Sequence, residues 1–127
     1  MTFFFDNNIG QFIVSGLRGF GEDVCHLTDY FAPDTPDEVW LTFVGQQGMF
    51  LVTRDKRIRR RPLELDSLKR NRVGAFILIG KQMGRWDQIE QIICAWPNIK
   101  DAAASASPPF AFRVNRFGSK VERLPLI

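Results

Sequence analysis

The chain reads as an α/β domain built in three layers, α/β/α, around a central, mostly parallel sheet. Three observations predict it. Short apolar runs alternate four times with stretches whose apolar residues fall at helical spacing, the signature of parallel strands joined by crossover helices. The 127 residues suit one domain over 1–127, with 115–127 as a peripheral strand or tail. Two of the apolar runs close on an acid, Phe5 on Asp6 and Thr53 on Arg54-Asp55, and ligands in such sheets bind beyond the carboxyl ends of the strands, at the switch point.

The elements follow in order. Thr2 to Phe5 is too short for a helix and too apolar for a surface loop, so it is expected to be a buried strand. Ile9, Phe12, Ile13, Gly16 and Leu17 share a helical face, with Asn7 or Asn8 able to cap the helix and Gly19 and Gly21 able to end it. Val24 to Leu27 is a second short strand, followed by a loop to Pro36. Thr35 can cap the next helix, Pro36 suits its first position, and Asp37 and Glu38 suit the positive end of its dipole. Met49 to Thr53 is a third strand, and Pro62 opens a helix through Leu68. Val73 to Ile79 is the longest apolar run and belongs at the sheet centre. Ile89, Ile92, Ile93 and Trp96 mark an amphipathic helix expected to halt near Pro97. Phe110 to Val114 alternates as an edge strand does, and Val121 to Ile127 can pair beside it.

Composition narrows the function classes. The 45% apolar and 24% charged fractions are those of an ordinary soluble globular chain. Cys25, Cys94 and His26 form no zinc-ligand spacing, and two reduced, buried thiols in a cytoplasmic protein are expected. The start of the chain lacks a secretory pattern, and no stretch approaches the roughly 20 apolar residues needed to cross a bilayer. The net charge is only +3, but nine of the 17 Lys and Arg fall between positions 54 and 72.

The chemistry-bearing residues cluster at the predicted strand ends. Asp6 closes the first strand, Asp55 follows the third, and Asp37 or Glu38 opens the intervening helix; which of these two faces the sheet edge stays open. Alone, each acid has an ordinary explanation as a helix cap or a solvated charge. Gathered at one edge they repel unless a cation offsets them, and oxygen ligands without Cys or His favour Mg²⁺ or Mn²⁺. Asp6, Glu38 and Asp55 are the expected metal ligands, and Asp6, Asp37, Glu38 and Asp55 the expected catalytic acids. Asn7 and Asn8 can add neutral contacts, and Thr53 can orient Asp55. Arg54, Lys56, Arg57, Arg59, Arg60 and Arg61 can grip phosphates without reading sequence. Acids that hold a divalent cation beside a phosphate clamp are the two halves of a metal-dependent nuclease. His26 suits a structural role better than a proton shuttle.

Phe3-Phe4-Phe5-Asp6-Asn7-Asn8-Ile9-Gly10, then Pro33 to Leu41, then Val52-Thr53-Arg54-Asp55-Lys56-Arg57 through Pro62 resemble the PIN-like family, most closely its ribonuclease toxins of the virulence-associated protein C kind. The resemblance runs from about Phe3 to Phe117. It implies a compact PIN fold, Mg²⁺- or Mn²⁺-dependent cleavage of single-stranded or structured RNA, and a cognate antitoxin protein; a homodimer is a separate option. It matches Asp6 to the first acid, Asp37 or Glu38 to the helix acid, and Asp55 to the acid after the later strand. The family's usual fourth acid falls where this chain has Ile79-Gly80-Lys81-Gln82.

Two other functions compete. An acid after the first and third strands also suits a phospho-accepting receiver domain, but such domains need adjacent acids after the first strand and a late lysine. A binding-only module would use the basic loop for nucleic acid or a protein partner, its acids merely capping helices.

Overall fold

A computed structural model of the chain describes residues 1–126. Its strands are β1 (Phe3–Phe5), β2 (Val24–His26), β3 (Phe50–Thr53), β4 (Gly74–Leu78), β5 (Phe110–Val114) and β6 (Val121–Leu124). Its helices are α1 (Gln11–Gly19), α2 (Asp37–Gln46), α3 (Pro62–Arg70) and α4 (Arg85–Ser105), with one 3₁₀ turn at Leu27–Asp29. The six strands lie in the order β2-β1-β3-β4-β5-β6. All neighbours are parallel except β5 and β6. With helices on both faces this is the expected three-layer α/β/α fold.

Strand alternation divides the core. Phe3 and Phe5 of β1, with Val52, Phe76, Leu78, Phe110 and Val114, pack under α1 and α4. Phe4, Leu51, Ala75, Ile77 and Ala111 point the other way, toward Trp40, Leu41 and Val44 of α2 and Leu68 of α3. A strand buried on both faces has no polar alternation, which is why β1 is three consecutive phenylalanines. Phe4 stacks on Trp40 with centroids 5.7 Å apart, and Phe3 meets Trp96 edge-on at 4.8 Å. Gly74 lies against the Phe110 ring, where a Cβ would clash.

Several expectations need correction. Neither Asn7 nor Asn8 caps α1; Gly10 holds the cap position without a side-chain bond, because Asn8 bonds across to β3 instead. Pro36 sits at the cap of α2 with Asp37 as the first helical residue, and the Thr35 hydroxyl donates to the Ala32 carbonyl at 2.7 Å. The last helix does not halt at Pro97 but runs unbroken for 21 residues. Proline removes one helical hydrogen bond and crowds the preceding turn. Burial of Ile92, Ala95, Trp96, Ile99 and Ala103 on the sheet offsets that, since each large apolar side chain contributes about 1.5–3 kcal/mol. Glu22 pins the same stretch, accepting from the Trp96 indole at 2.7 Å and from Lys100 at 2.9 Å. β5 is interior rather than an edge, because β6 returns beside it through a turn held by Asn115. Cys25 is buried as expected, its thiol pushed up to about 11 by burial, but Cys94 is exposed.

Candidate active site

β1 and β3 are adjacent and parallel, with Phe5 opposite Val52, so their carboxyl ends deliver Asp6 and Thr53 side by side. The switch in strand order falls here, between β2-β1 and β3-β4. Thr53 is fully buried, and its hydroxyl is saturated. It donates to Asp6 Oδ2 at 2.7 Å and accepts from Asn8 Nδ2 at 3.2 Å and from the Asp55 backbone N–H at 3.1 Å. One donor and two acceptor positions are all a hydroxyl has. Asn8 completes the link, its Oδ1 accepting from the Arg54 N–H at 3.1 Å. Asp6 also accepts from the Asn7 N–H at 2.6 Å. The acid after β1 and the acid after β3 are thus fixed through one threonine.

Asp37 joins them from the first position of α2. Burial pushes its carboxyl upward, and the charges of Asp6, Glu64 and Asp55 add to that. Asp6 is raised first by burial as well, with Asp55 adding, while the bonds from Thr53 and Asn7 pull the other way. Glu38 is half-buried beside Asp37 but is not among the charges that act on either acid. Glu64, on the first turn of α3, adds its charge to the group, acting on Asp37 and standing 4.0 Å from the Arg61 guanidinium. An acid three residues after Arg61 at a predicted helix start was the available signal for it.

Arg61 is the counter-charge of this group. Its guanidinium makes a two-pronged contact with Asp55, Nη1 to Oδ2 at 2.8 Å and Nη2 to Oδ1 at 3.0 Å. It lies 3.8 Å from Asp37 and 4.0 Å from Glu64. The Asp55 bonds hold its charge more firmly than in water. At 3.8 Å Asp37 is beyond hydrogen-bonding reach of Arg61, and burial first, then the like charges around it, still raise its carboxyl.

The rest of the basic run divides. Arg54 turns inward, donating to Gln91 Oε1 at 3.0 Å with its Nε buried and unpartnered, and burial lowers its proton affinity. Lys56, Arg57 and Arg60 are exposed. Arg59 donates to the Pro125 carbonyl at 3.3 Å. His26 is structural: Nε2 bonds the Ile9 carbonyl at 2.8 Å, and Nδ1 accepts from the Thr28 N–H at 3.2 Å.

The donor chemistry fits a hard divalent cation, since the group offers carboxylate oxygens and no thiolate or imidazole. As the side chains lie, no three acids among the described residues stand close enough to hold an ion, and the cation at this position is Arg61. A divalent ion bound to Asp6, Asp37 and Asp55 would require that guanidinium to turn away.

No curated protein and no solved structure matches the chain. A family model described as a PIN like domain matches residues 1–80, a span that takes in β1 through β4 and with them Asp6, Asp37, Asp55 and Glu64. The chain belongs to the PIN-like domain family, whose fold is of the nuclease type.

Proposed function

We propose that the protein is a metal-dependent endoribonuclease, the toxin of a toxin–antitoxin pair, working in the cytoplasm as a single domain. The observation that carries the nuclease reading is the convergence of Asp6, Asp37 and Asp55 at the carboxyl ends of β1 and β3, beside a wall of arginine and lysine. Asp6, Asp37 and Asp55 would hold Mg²⁺ or Mn²⁺, with Glu64 at the rim; such an ion, when bound, supplies charge stabilisation to a phosphodiester attacked in line by water. Thr53 ties the Asp6 carboxylate to the Asp55 backbone N–H and so keeps the two acids in register. Lys56 and Arg57 hold the flanking phosphates. Arg61 leaves Asp55 for the substrate phosphate, since a guanidinium fork suits either partner.

The toxin role rests on the likeness of the three motifs to toxins of the virulence-associated protein C kind, and it implies an antitoxin as protein partner, with a second copy of the chain as a further one. Expression in a bacterial host tests it: growth should stop, and Asp6→Asn should restore growth. Growth arrest that persists in Asp6→Asn refutes the catalytic toxin.

One observation favours a second reading, a binding module without catalysis. Arg61 already neutralises Asp55, so RNA could bind the basic wall with that pair intact. RNA binding that needs no metal, with no cleavage in Mn²⁺, would select that reading.

A further inference from the structure

Among the described residues, Arg61 is the one Lys or Arg within ion-pair distance of Asp37, Asp55 or Glu64. Its backbone does not depend on those contacts. The Arg61 N–H donates to the Arg57 carbonyl at 3.1 Å, and the Arg61 carbonyl accepts from the Leu65 N–H at 2.8 Å, at the cap of α3. The side chain beyond this anchor is 41% exposed, so the guanidinium can leave Asp55 by turning about its own side-chain bonds, with the loop in place. Asp55 does not depend on Arg61 either. Its Oδ1 also accepts from the Arg57 N–H at 3.0 Å, and its own N–H is held by the Thr53 hydroxyl. With the guanidinium turned away, Oδ2 is freed and the carboxylate keeps its place.

The same geometry sets where the guanidinium goes. Arg61 also lines a cleft of about 540 Å³ whose wall carries Arg54, Lys56, Arg57, Lys81 and Arg116, with Asp55 as its acid. Among the described residues, none of Arg54, Lys56, Arg57 and Lys81 has a carboxylate within ion-pair distance. A guanidinium that leaves Asp55 therefore meets five like charges, and it leaves behind acids that repel one another. A cation among the acids offsets the second cost, and an anion in the cleft offsets the first. A guanidinium fork fits a carboxylate and a phosphate equally well, so the transfer loses no bonding geometry.

We propose that Arg61 is a built-in competitor of the divalent cation, and that its transfer from Asp55 to a phosphodiester in this cleft makes cation and phosphodiester bind cooperatively. The inference rests on the metal reading of the acid group and adds a gate to it: a cation arriving alone finds Arg61 seated, and one arriving with the anion does not. The coupling is reciprocal, each ligand raising the other's affinity by the same factor.

The test is an electron-paramagnetic-resonance titration of Mn²⁺ with and without a millimolar excess of dimethyl phosphate, sodium chloride keeping the ionic strength equal. Wild type is compared with Arg61→Ala and with Arg61→Gln, which keeps much of the side-chain stem without the charge, and circular dichroism checks that both fold. In wild type the diester should tighten Mn²⁺ binding at least about fivefold, the lower end of ordinary couplings between sites. Both variants should bind Mn²⁺ several-fold more tightly than wild type without the diester, and the diester should then add little. Mn²⁺ affinity that the diester leaves unmoved in wild type overturns the exchange. So does a tightening of equal size in the variants, which would mean that the anion bridges the ion directly. Mn²⁺ bound alike by all three proteins removes the exchange and leaves the metal reading standing. Mn²⁺ bound by none of them, with or without the diester, removes the metal reading and the exchange with it.

Discussion

Asp6 is an acid held where an acid is costly. It is nine-tenths buried, and its carboxyl is pushed up by that burial and by Asp55. A carboxyl raised in the folded state penalises folding once pH exceeds its unfolded value, so the fold gains stability as pH falls through that range. Asp6→Asn should therefore melt at or above the wild-type temperature at pH 7, with the gap closing toward pH 4 in thermal scans. An Asp6 kept for stability would give the reverse, a variant that melts lower at pH 7. Arg61 makes the complementary case. Arg61→Ala removes the guanidinium from Asp55 and Asp37, so Mn²⁺ should bind several-fold more tightly in an electron-paramagnetic-resonance titration. The stability cost should stay within about 1 kcal/mol, as for exposed ion pairs. Unchanged Mn²⁺ affinity would mean that Arg61 does not occupy the cation position. At this scale the sequence was only partly readable. Asp6 and Asp55 stood out because strand periodicity marks strand ends. The choice between Asp37 and Glu38 depended on helix phase, and a one-residue displacement of the cap, from Thr35 to Pro36, governs that phase. Glu64 lies far along the chain and enters the group only through the packing of α3.

Between elements, the junction of β1 and β3 carries the site. Thr53→Val keeps shape and burial but removes one donor and two acceptor contacts, leaving the Asp6 carboxylate without its buried partner. A loss of about 1–3 kcal/mol in urea unfolding is expected, with cleavage reduced as well because Asp6 and Asp55 lose their common tether. Gly74→Ala should cost a similar amount by forcing the Phe110 ring aside, without changing metal affinity. The strands were legible because each is a short apolar run bounded by Gly, Asp or Asn, and Pro62 opens α3 as its chemistry demands. The error at Pro97 came from local propensity. The stretch after it survives because Trp96 and Ile99 are buried on the sheet and Lys100 is anchored to Glu22, contacts with residues more than 70 positions away. The interior place of β5 was hidden for the same reason: whether a strand is an edge depends on what pairs with it, not on its own pattern.

The whole molecule sets an acidic group beside basic clefts at the carboxyl ends of a sheet of six strands. No helix of the described residues is long and apolar enough to cross a membrane, and basic residues line two clefts that share Lys56 and Arg57, a concentration of charge suited to a polyanion. The acids alone would repel RNA and the cations alone would hold it uncut; their adjacency is what makes cleavage the central claim. The most direct test is incubation of single-stranded RNA with the purified protein and with Asp55→Asn, each in Mn²⁺ and in EDTA. The account predicts cleavage by wild type in Mn²⁺ alone, abolished by EDTA and lowered at least 100-fold in Asp55→Asn. RNA left intact by wild type in Mn²⁺, or cut equally by Asp55→Asn, would contradict it.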